Sequence, residues 1–181
     1  MSLTASPPPQ VDPSTLRRAL GRIPTSVAVV TAACNDSPIG MTVGSLTSVS
    51  SDPPLVAFFG IAASHTFGQL STADRFCINV LAEGQGEVCY GFASRNGAKF
   101  ELGQWDLCCS QAPRLRGASA WIECTTESVF EAGDHLGMMG RVHHVDYSED
   151  RPLVFHRGKL SRLHPGATRD VCTTRLDWWA L

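Results

Sequence analysis

Apolar and polar positions along this chain recur mostly with the two-residue period of strands, in short runs bounded by turn residues. Residues 26–32 (SVAVVTA) are dense in β-branched side chains and read as a buried strand. Asn35-Asp36-Ser37-Pro38 is a turn signal, so a hairpin leads into residues 40–50 (GMTVGSLTSVS), the stretch around which the rest is organised. Read as one strand, it places Thr42, Gly44, Leu46, Ser48 and Ser50 on one face and Met41, Val43, Ser45, Thr47 and Val49 on the other. Neither face is cleanly apolar. Hydroxyls on both sides around a bare glycine suggest backbone and side chains approaching a polar ligand; the alternative is a solvated edge strand with ordinary threonines.

Asp52-Pro53-Pro54 breaks that strand, and residues 55–61 (LVAFFGI) and 75–81 (RFCINVL) are apolar runs of interior-strand length. Residues 118–130 and 138–147 read as strands joined through 131–135, and 153–155 with 159–163 make a closing pair. Helical patterns are short: 14–21, capped by Asp12 or Ser14 and stopped by Gly21; 66–72, with Ser64 in the cap position; and 83–94, ending in the loop Arg95-Asn96-Gly97. Six or seven strands, short helices and no regular βαβ alternation predict a mainly β fold, an antiparallel barrel with peripheral helices.

The chain has 181 residues, 43% of them hydrophobic and 18% charged, which fits one globular domain able to bury its own core. A formal net charge of -2 offers no basic surface for nucleic acid, while a small anionic ligand stays compatible with it. Seven cysteines without a Cys-x-x-Cys pair read as free thiols in a reducing cytoplasm. The first residues lack a basic start and an apolar core, and no apolar run approaches the roughly 20 residues that span a bilayer. Residues 1–13 read as a flexible proline-rich arm, 14–163 as the domain, and 164–181 as a tail. The apolar end of that tail, around Trp178-Trp179, docks on this subunit or on a partner.

Candidate chemistry is sparse. Ser64-His65-Thr66 opens a helix where first-turn amides could hold an anion, or where Ser64 is a plain N-cap. Lys99 alone is a surface lysine, and Gly133-Asp134-His135 alone is a turn. There is no Gly-x-Ser-x-Gly elbow and no Gly-x-Gly-x-x-Gly fingerprint, and His143-His144 are adjacent rather than four apart, so no metal site is expected.

Taken in order, LRRALGRIPTSVAVVT, GMTVGSLTSVSSDPPLV, the SHT turn, RFCINVLA, AKF, AWIEC, EAGDHLGMMGRV and PLVFHRGKLSRL resemble the flavin reductase-like family. These are FMN-binding split barrels that serve as the reductase component of two-component flavin monooxygenases. The resemblance runs from Leu16 to Leu163 and implies an antiparallel split β-barrel with short peripheral helices. For the cofactor it implies Thr42, Val43, Gly44 and Ser45 along the isoalloxazine and ribityl chain, then Ser48, Val49 and Ser50 towards the phosphate. Ser64 and Thr66 would bind the phosphate itself, with Lys99 beside Phe100 as countercharge, and Asn79 belongs to the same implied set. Gly133, Asp134 and His135 would meet the nicotinamide, with His135 the catalytic residue; Arg141 would assist with nucleotide phosphates, or else form a structural ion pair. The family often has asparagine where this chain has Gly44, so a side-chain amide contact is missing and a backbone contact would replace it.

The activity implied is transfer of hydride from NADH or NADPH to FMN or FAD, after which reduced flavin leaves for a separate monooxygenase. A cytoplasmic homodimer without nucleic acid or membrane partners goes with it. Two other functions fit the same fold. One is a flavoenzyme that retains its flavin and acts directly on an organic substrate; the other is a non-catalytic flavin- or haem-binding module.

Overall fold

The computed structural model describes residues 10–35, 37–95 and 98–166. The tripled prolines, the turn residue Asp36, the loop pair Asn96-Gly97 and the apolar Trp178-Trp179 end lie outside the described residues. In chain order the elements are α1 (Pro13–Leu20), β1 (Thr25–Ser26), β2 (Ala28–Cys34), β3 (Ser37–Val43), β4 (Thr47–Ser51) and β5 (Pro54–Ile61). Then come α2 (His65–Leu70), β6 (Arg75–Val80), α3 (Gly86–Ala93), a 3-10 turn at Lys99–Glu101, β7 (Trp105–Leu107) and β8 (Pro113–Leu115). The long strands β9 (Ala120–Ala132) and β10 (His135–Tyr147) precede the closing pair β11 (Leu153–His156) and β12 (Lys159–Arg162).

β2 separates two apolar layers. Ala28, Val30 and Ala32 join Phe58, Phe67, Phe76 and Met138 in the larger cluster. Val29, with Val27, joins Leu81, Val88, Phe92 and Leu115 in a second cluster under α3. Successive strand residues point to opposite faces, so a strand covered on both sides is apolar at nearly every position, as Ala28, Val29, Val30 and Ala32 are, with the buried Thr31 hydroxyl hydrogen-bonded. Inside the larger cluster Phe58 meets Phe67 and Phe76 edge-on, with centroids 6.0 and 5.7 Å apart. Each such buried ring contributes about 1.5–3 kcal/mol of transfer free energy. Gly60 makes the close approach of α2 possible, because a Cβ there would lie 2.1 Å from the Phe67 ring.

Seven strands bond in the order β3-β2-β6-β9-β10-β5-β4, each neighbour antiparallel. The edge strands β3 and β4 are consecutive in the chain yet stand at opposite ends of that order. The sheet therefore rolls up and stays open along one seam, the split barrel expected from the resemblance. At the crossing, the Ser45 hydroxyl donates to the Phe59 carbonyl at 3.0 Å and accepts from the Phe59 amide at 2.9 Å. One side chain thus continues the ladder that β4 makes with β5. A three-stranded sheet β1-β11-β12 and the ribbon β7-β8 complete the fold.

Several expectations need correction. Residues 40–50 are not one strand: β3 ends at Val43 and β4 starts at Thr47, so the supposed alternation of faces is broken by the Gly44–Leu46 crossing. The described residues hold twelve strands rather than six or seven. The ribbon β7-β8 escaped notice because its strands are three residues each and are held by tertiary bonds, not by a pattern of their own. The expected loop at 131–135 shrinks to Gly133-Asp134, because the two 13-residue strands keep pairing out to Ala132 and His135. The N-terminal helix is capped by Asp12, whose carboxylate accepts from the Thr15 amide at 2.8 Å.

Candidate functional site

The hydroxyls of the β3–β4 stretch divide by whether the fold already uses them. Thr42 Oγ1 donates to the Cys89 carbonyl of α3 at 2.8 Å, Val43 is in the core, and Ser45 is bonded to Phe59. These residues hold the barrel edge together rather than presenting side chains outwards. Gly44 is exposed, and a Cβ there would meet only Thr25 Oγ1, at 3.4 Å. On β4, Ser48 and Val49 are exposed and Ser50 is half-buried; a register shift between Ser48 and Ser50 leaves Val49 without a partner on β5. What this stretch offers a ligand is therefore backbone at Gly44 and the β4 residues, with the Ser48 and Ser50 hydroxyls.

Near the start of β3 a cleft of about 560 Å³ is lined by Thr66, Gln69, Arg95, Lys99, Phe100 and Glu101 among others. α2 packs against β3 through the buried Phe67 and Leu70, which brings Thr66 to this cleft. Ser64 Oγ caps α2 by accepting from the Phe67 amide at 3.2 Å. Lys99 is half-buried: its Nζ lies 3.5 Å from the Gly40 carbonyl and 3.4 Å from that of Phe92, and 6.0 Å from the centre of the Phe92 ring. Burial holds its ammonium below the usual lysine value. No carboxylate forms an ion pair with it among the described residues. Phe100 faces inwards, stacking edge-on with Phe92 and Trp105 at 5.0 and 5.1 Å, so it fixes the turn that carries Lys99.

The β9–β10 tip stands at the entry to α2. Gly133 has φ +69 with open space around a would-be Cβ, so the turn and not packing requires glycine there. The Asp134 carbonyl accepts from the Ala62 amide at 3.0 Å, two residues before Ser64, and His135 is in register with Ile61. His135 Nδ1 lies 2.6 Å from Asp134 Oδ1, and this bond holds the Asp134 carboxyl below its usual range. An ionised carboxylate can only accept, so Nδ1 carries a proton in this bond and Nε2 is the ring nitrogen left for another partner.

Two expected residues lie elsewhere. Asn79 is fully buried: its amide donates to the Val29 carbonyl at 3.0 Å and to Thr31 at 3.2 Å, while its oxygen accepts from the Leu115 amide at 2.8 Å. It joins β6 to β2 and β8 and reaches no cleft. Arg141 is six residues down β10 from His135, on the order of 20 Å at strand rise. Its guanidinium makes two 2.8 Å bonds to Glu127, the structural ion pair.

A larger cavity, about 1250 Å³, was not signalled by any motif. It lies between α1 and the β11–β12 hairpin, lined by Leu16, Leu20, Ile23, Gly44 and Phe155 with Arg17 and Arg157 among its polar residues. Its only trace in the sequence is Leu16 and Leu20, four apart beside Arg17 and Arg18, on a helix with no buried residue of its own. Arg95 and Gln69 were likewise missed, since neither belongs to a recognisable pattern. The donor set fits a flavin nucleotide: an apolar cavity edged by exposed backbone at Gly44 suits an aromatic ring system, and Thr66 with an unpaired Lys99 suits a phosphate.

A family model described as flavin reductase like domain matches residues 20–164. A flavin reductase from Pseudomonas putida is 43% identical over 150 residues, covering 82% of this chain and 88% of that protein. The reductase subunit of a flavin-dependent monooxygenase from Mycobacterium tuberculosis is 34% identical over 183 residues, covering 94% and 98% of the two chains. Among solved structures, an NADH:FAD oxidoreductase from Streptomyces globisporus, in complex with NAD and FAD fragments, matches with a TM-score of 0.82 at 34% identity. That match covers 88% of this chain and 99% of the other.

Proposed function

The chain belongs to the flavin reductase-like family, and from that premise we propose that it is an NAD(P)H:flavin oxidoreductase. It reduces FMN or FAD and supplies the reduced flavin to a separate monooxygenase. The observation that carries the reading at the level of residues is the cleft lined by both Thr66 and Lys99, which forms no ion pair among the described residues. A half-buried ammonium held only by two long contacts to carbonyls is poised for a phosphate, and a bond to a charged group is worth about 1.5–3 kcal/mol. Ser64, Ser48, Val49 and Ser50 are assigned to the same nucleotide, with backbone at Gly44 meeting its ring system.

Flavin supplies the electron-accepting ring; the protein binds and orients the two reactants. The His135 imidazole, oriented by the Nδ1 bond to Asp134 with Nε2 left for another partner, is assigned to the carboxamide of the nicotinamide, beside Gly133. A missing side chain at Gly44 leaves the flavin held by fewer groups, which suits a product that must depart. The protein acts as a cytoplasmic homodimer; the exposed Val129 and Phe130 on the β9–β10 hairpin are apolar surface of the kind a second copy would cover.

Steady-state oxidation of NADH and NADPH, with FMN, FAD and riboflavin in turn, tests the reading. Turnover with at least one flavin nucleotide is expected, and His135→Ala should lower kcat/KM for the nicotinamide about tenfold, the worth of one hydrogen bond. No oxidation of either nicotinamide with any flavin would sink the proposal.

A further inference from the structure

We propose that Cys77 and Cys108 form an oxidisable dithiol, a modification site at which a hydroperoxide converts the two thiols into a disulfide. Cys77 sits on β6 and is fully buried, while Cys108 follows β7, is 6% exposed, and lines a cleft of about 420 Å³ shared with Arg114, Trp121, Glu123 and His144. The two residues pack in one small cluster with Ala112, Ala118 and Trp121. A tight turn holds Cys108 in place, its amide donating to the Ala112 carbonyl at 3.0 Å and its carbonyl accepting from the Gln111 amide at 2.9 Å. The ribbon beyond the turn is fastened to the layer that carries Cys77. Thr31 Oγ1 donates to the Pro113 carbonyl at 2.5 Å, and the Leu115 amide donates to Asn79 Oδ1 at 2.8 Å.

The pair is chemically unequal. Cys108 Sγ lies 2.8 Å from the Ser110 hydroxyl, while the Cys77 thiol donates to Asn79 Oδ1 at 3.9 Å and packs beside Cys108 in the same cluster. The neighbouring Cys77 thiol and then Ser110 pull Cys108 down to about 6, against the opposing effects of burial and of Glu123, whereas the neighbouring Cys108 sulfur and burial push Cys77 up. The sulfur that lines the cleft is the more readily ionised of the two and the enclosed one the less, the division between an attacking and a resolving thiol.

In the first step the Cys108 thiolate attacks a peroxide oxygen: an S–O bond forms, the O–O bond breaks, and hydroxide leaves and takes a proton to become water. In the second, Cys77 sulfur attacks that sulfenic sulfur; S–S forms, S–O breaks, and the hydroxyl departs as water with the Cys77 proton. Two thiols and one hydrogen peroxide give one disulfide and two waters. The oxidant is at hand, because reduced flavin released into air reacts with dioxygen to give oxidised flavin and hydrogen peroxide. The dithiol itself does not rest on the flavin reading, since peroxide can be added directly.

The test is non-reducing peptide mapping of the full chain, reduced, desalted and treated with equimolar hydrogen peroxide. The expected product is a linked Cys77–Cys108 peptide with loss of two titratable thiols. Cys108→Ser should abolish both, and Cys77→Ser should leave a dimedone-reactive sulfenic acid at Cys108. If Cys77→Ser does not fold, the wild-type map and Cys108→Ser decide. Oxidation at the exposed Cys109 with Cys108 still free, or equal thiol loss in Cys108→Ser, overturns the proposal. Cross-linking by added peroxide in a protein that oxidises neither NADH nor NADPH with any flavin would uphold the dithiol and sink the flavin reading alone.

Discussion

Lys99 shows how little a residue type says without its surroundings. In the sequence it is one lysine after a loop; in the fold it is half-buried, bonded only to carbonyls and shares a cleft with Thr66. Lys99→Ala should therefore raise the KM for FMN about tenfold or more, since one decade corresponds to about 1.4 kcal/mol. Riboflavin, which lacks the phosphate, should be nearly unaffected, and steady-state kinetics with the two flavins reads the difference. Cys108 makes a prediction of opposite charge. Its thiolate persists above a value near 6, so its alkylation by iodoacetamide, followed by peptide mass spectrometry, should stay fast at neutral pH and fall as pH drops through about 6. Thr42, Ser45 and Asn79 mark the limit of reading at this scale. A hydroxyl or amide within a strand signals only a need for partners, and whether those partners are a ligand or the protein backbone depends on what lies across the sheet.

α2 is the element through which packing reaches the site. It is six residues long, is anchored by Phe67 and Leu70, and carries Ser64 in its cap and Thr66 on its first turn. Phe67 fits against β5 because Gly60 has no side chain, and a Cβ there would come 2.1 Å from the ring. Gly60→Ala should cost about 2 kcal/mol, the scale of core overpacking, read as a lower urea midpoint with unchanged m-value. The same shift displaces Thr66, so the variant's KM for FMN should rise although residue 60 touches no nucleotide. Most elements were legible: β2, β5 and β6 as apolar runs, and the α1 cap as a short polar signal shared by Asp12 and Ser14, of which the structure uses Asp12. The break inside residues 40–50 was not, because Gly44 and Ser45 suit a strand locally and turn only when Ser45 finds Phe59 on β5. The β7-β8 ribbon was hidden for a related reason, its stability coming from Thr31 and Asn79 on other strands.

The whole molecule is a sheet rolled until its first and last strands face across an open seam, with the candidate groups spread around it. Gly44 is in the α1 cavity, Thr66 and Lys99 in the cleft near the start of β3, and His135 at the β9–β10 tip. If a second copy covers the hairpin face, light scattering at micromolar concentration should give twice the chain mass, and Phe130→Glu should shift it to the monomer; a monomeric parent protein would overturn that assignment. The sequence alone determined the strand-rich class, the approximate order of elements, the family resemblance and the chemical types gathered around a nucleotide. These follow from period, turn chemistry and residue identity, which are local. Only the tertiary structure decided which hydroxyls are already consumed by the backbone, that Lys99 is half-buried in a cleft, and which two of the six described cysteines lie together. Those outcomes depend on contacts between strands far apart in the chain, and hydrogen bonding and burial act on what is near in space.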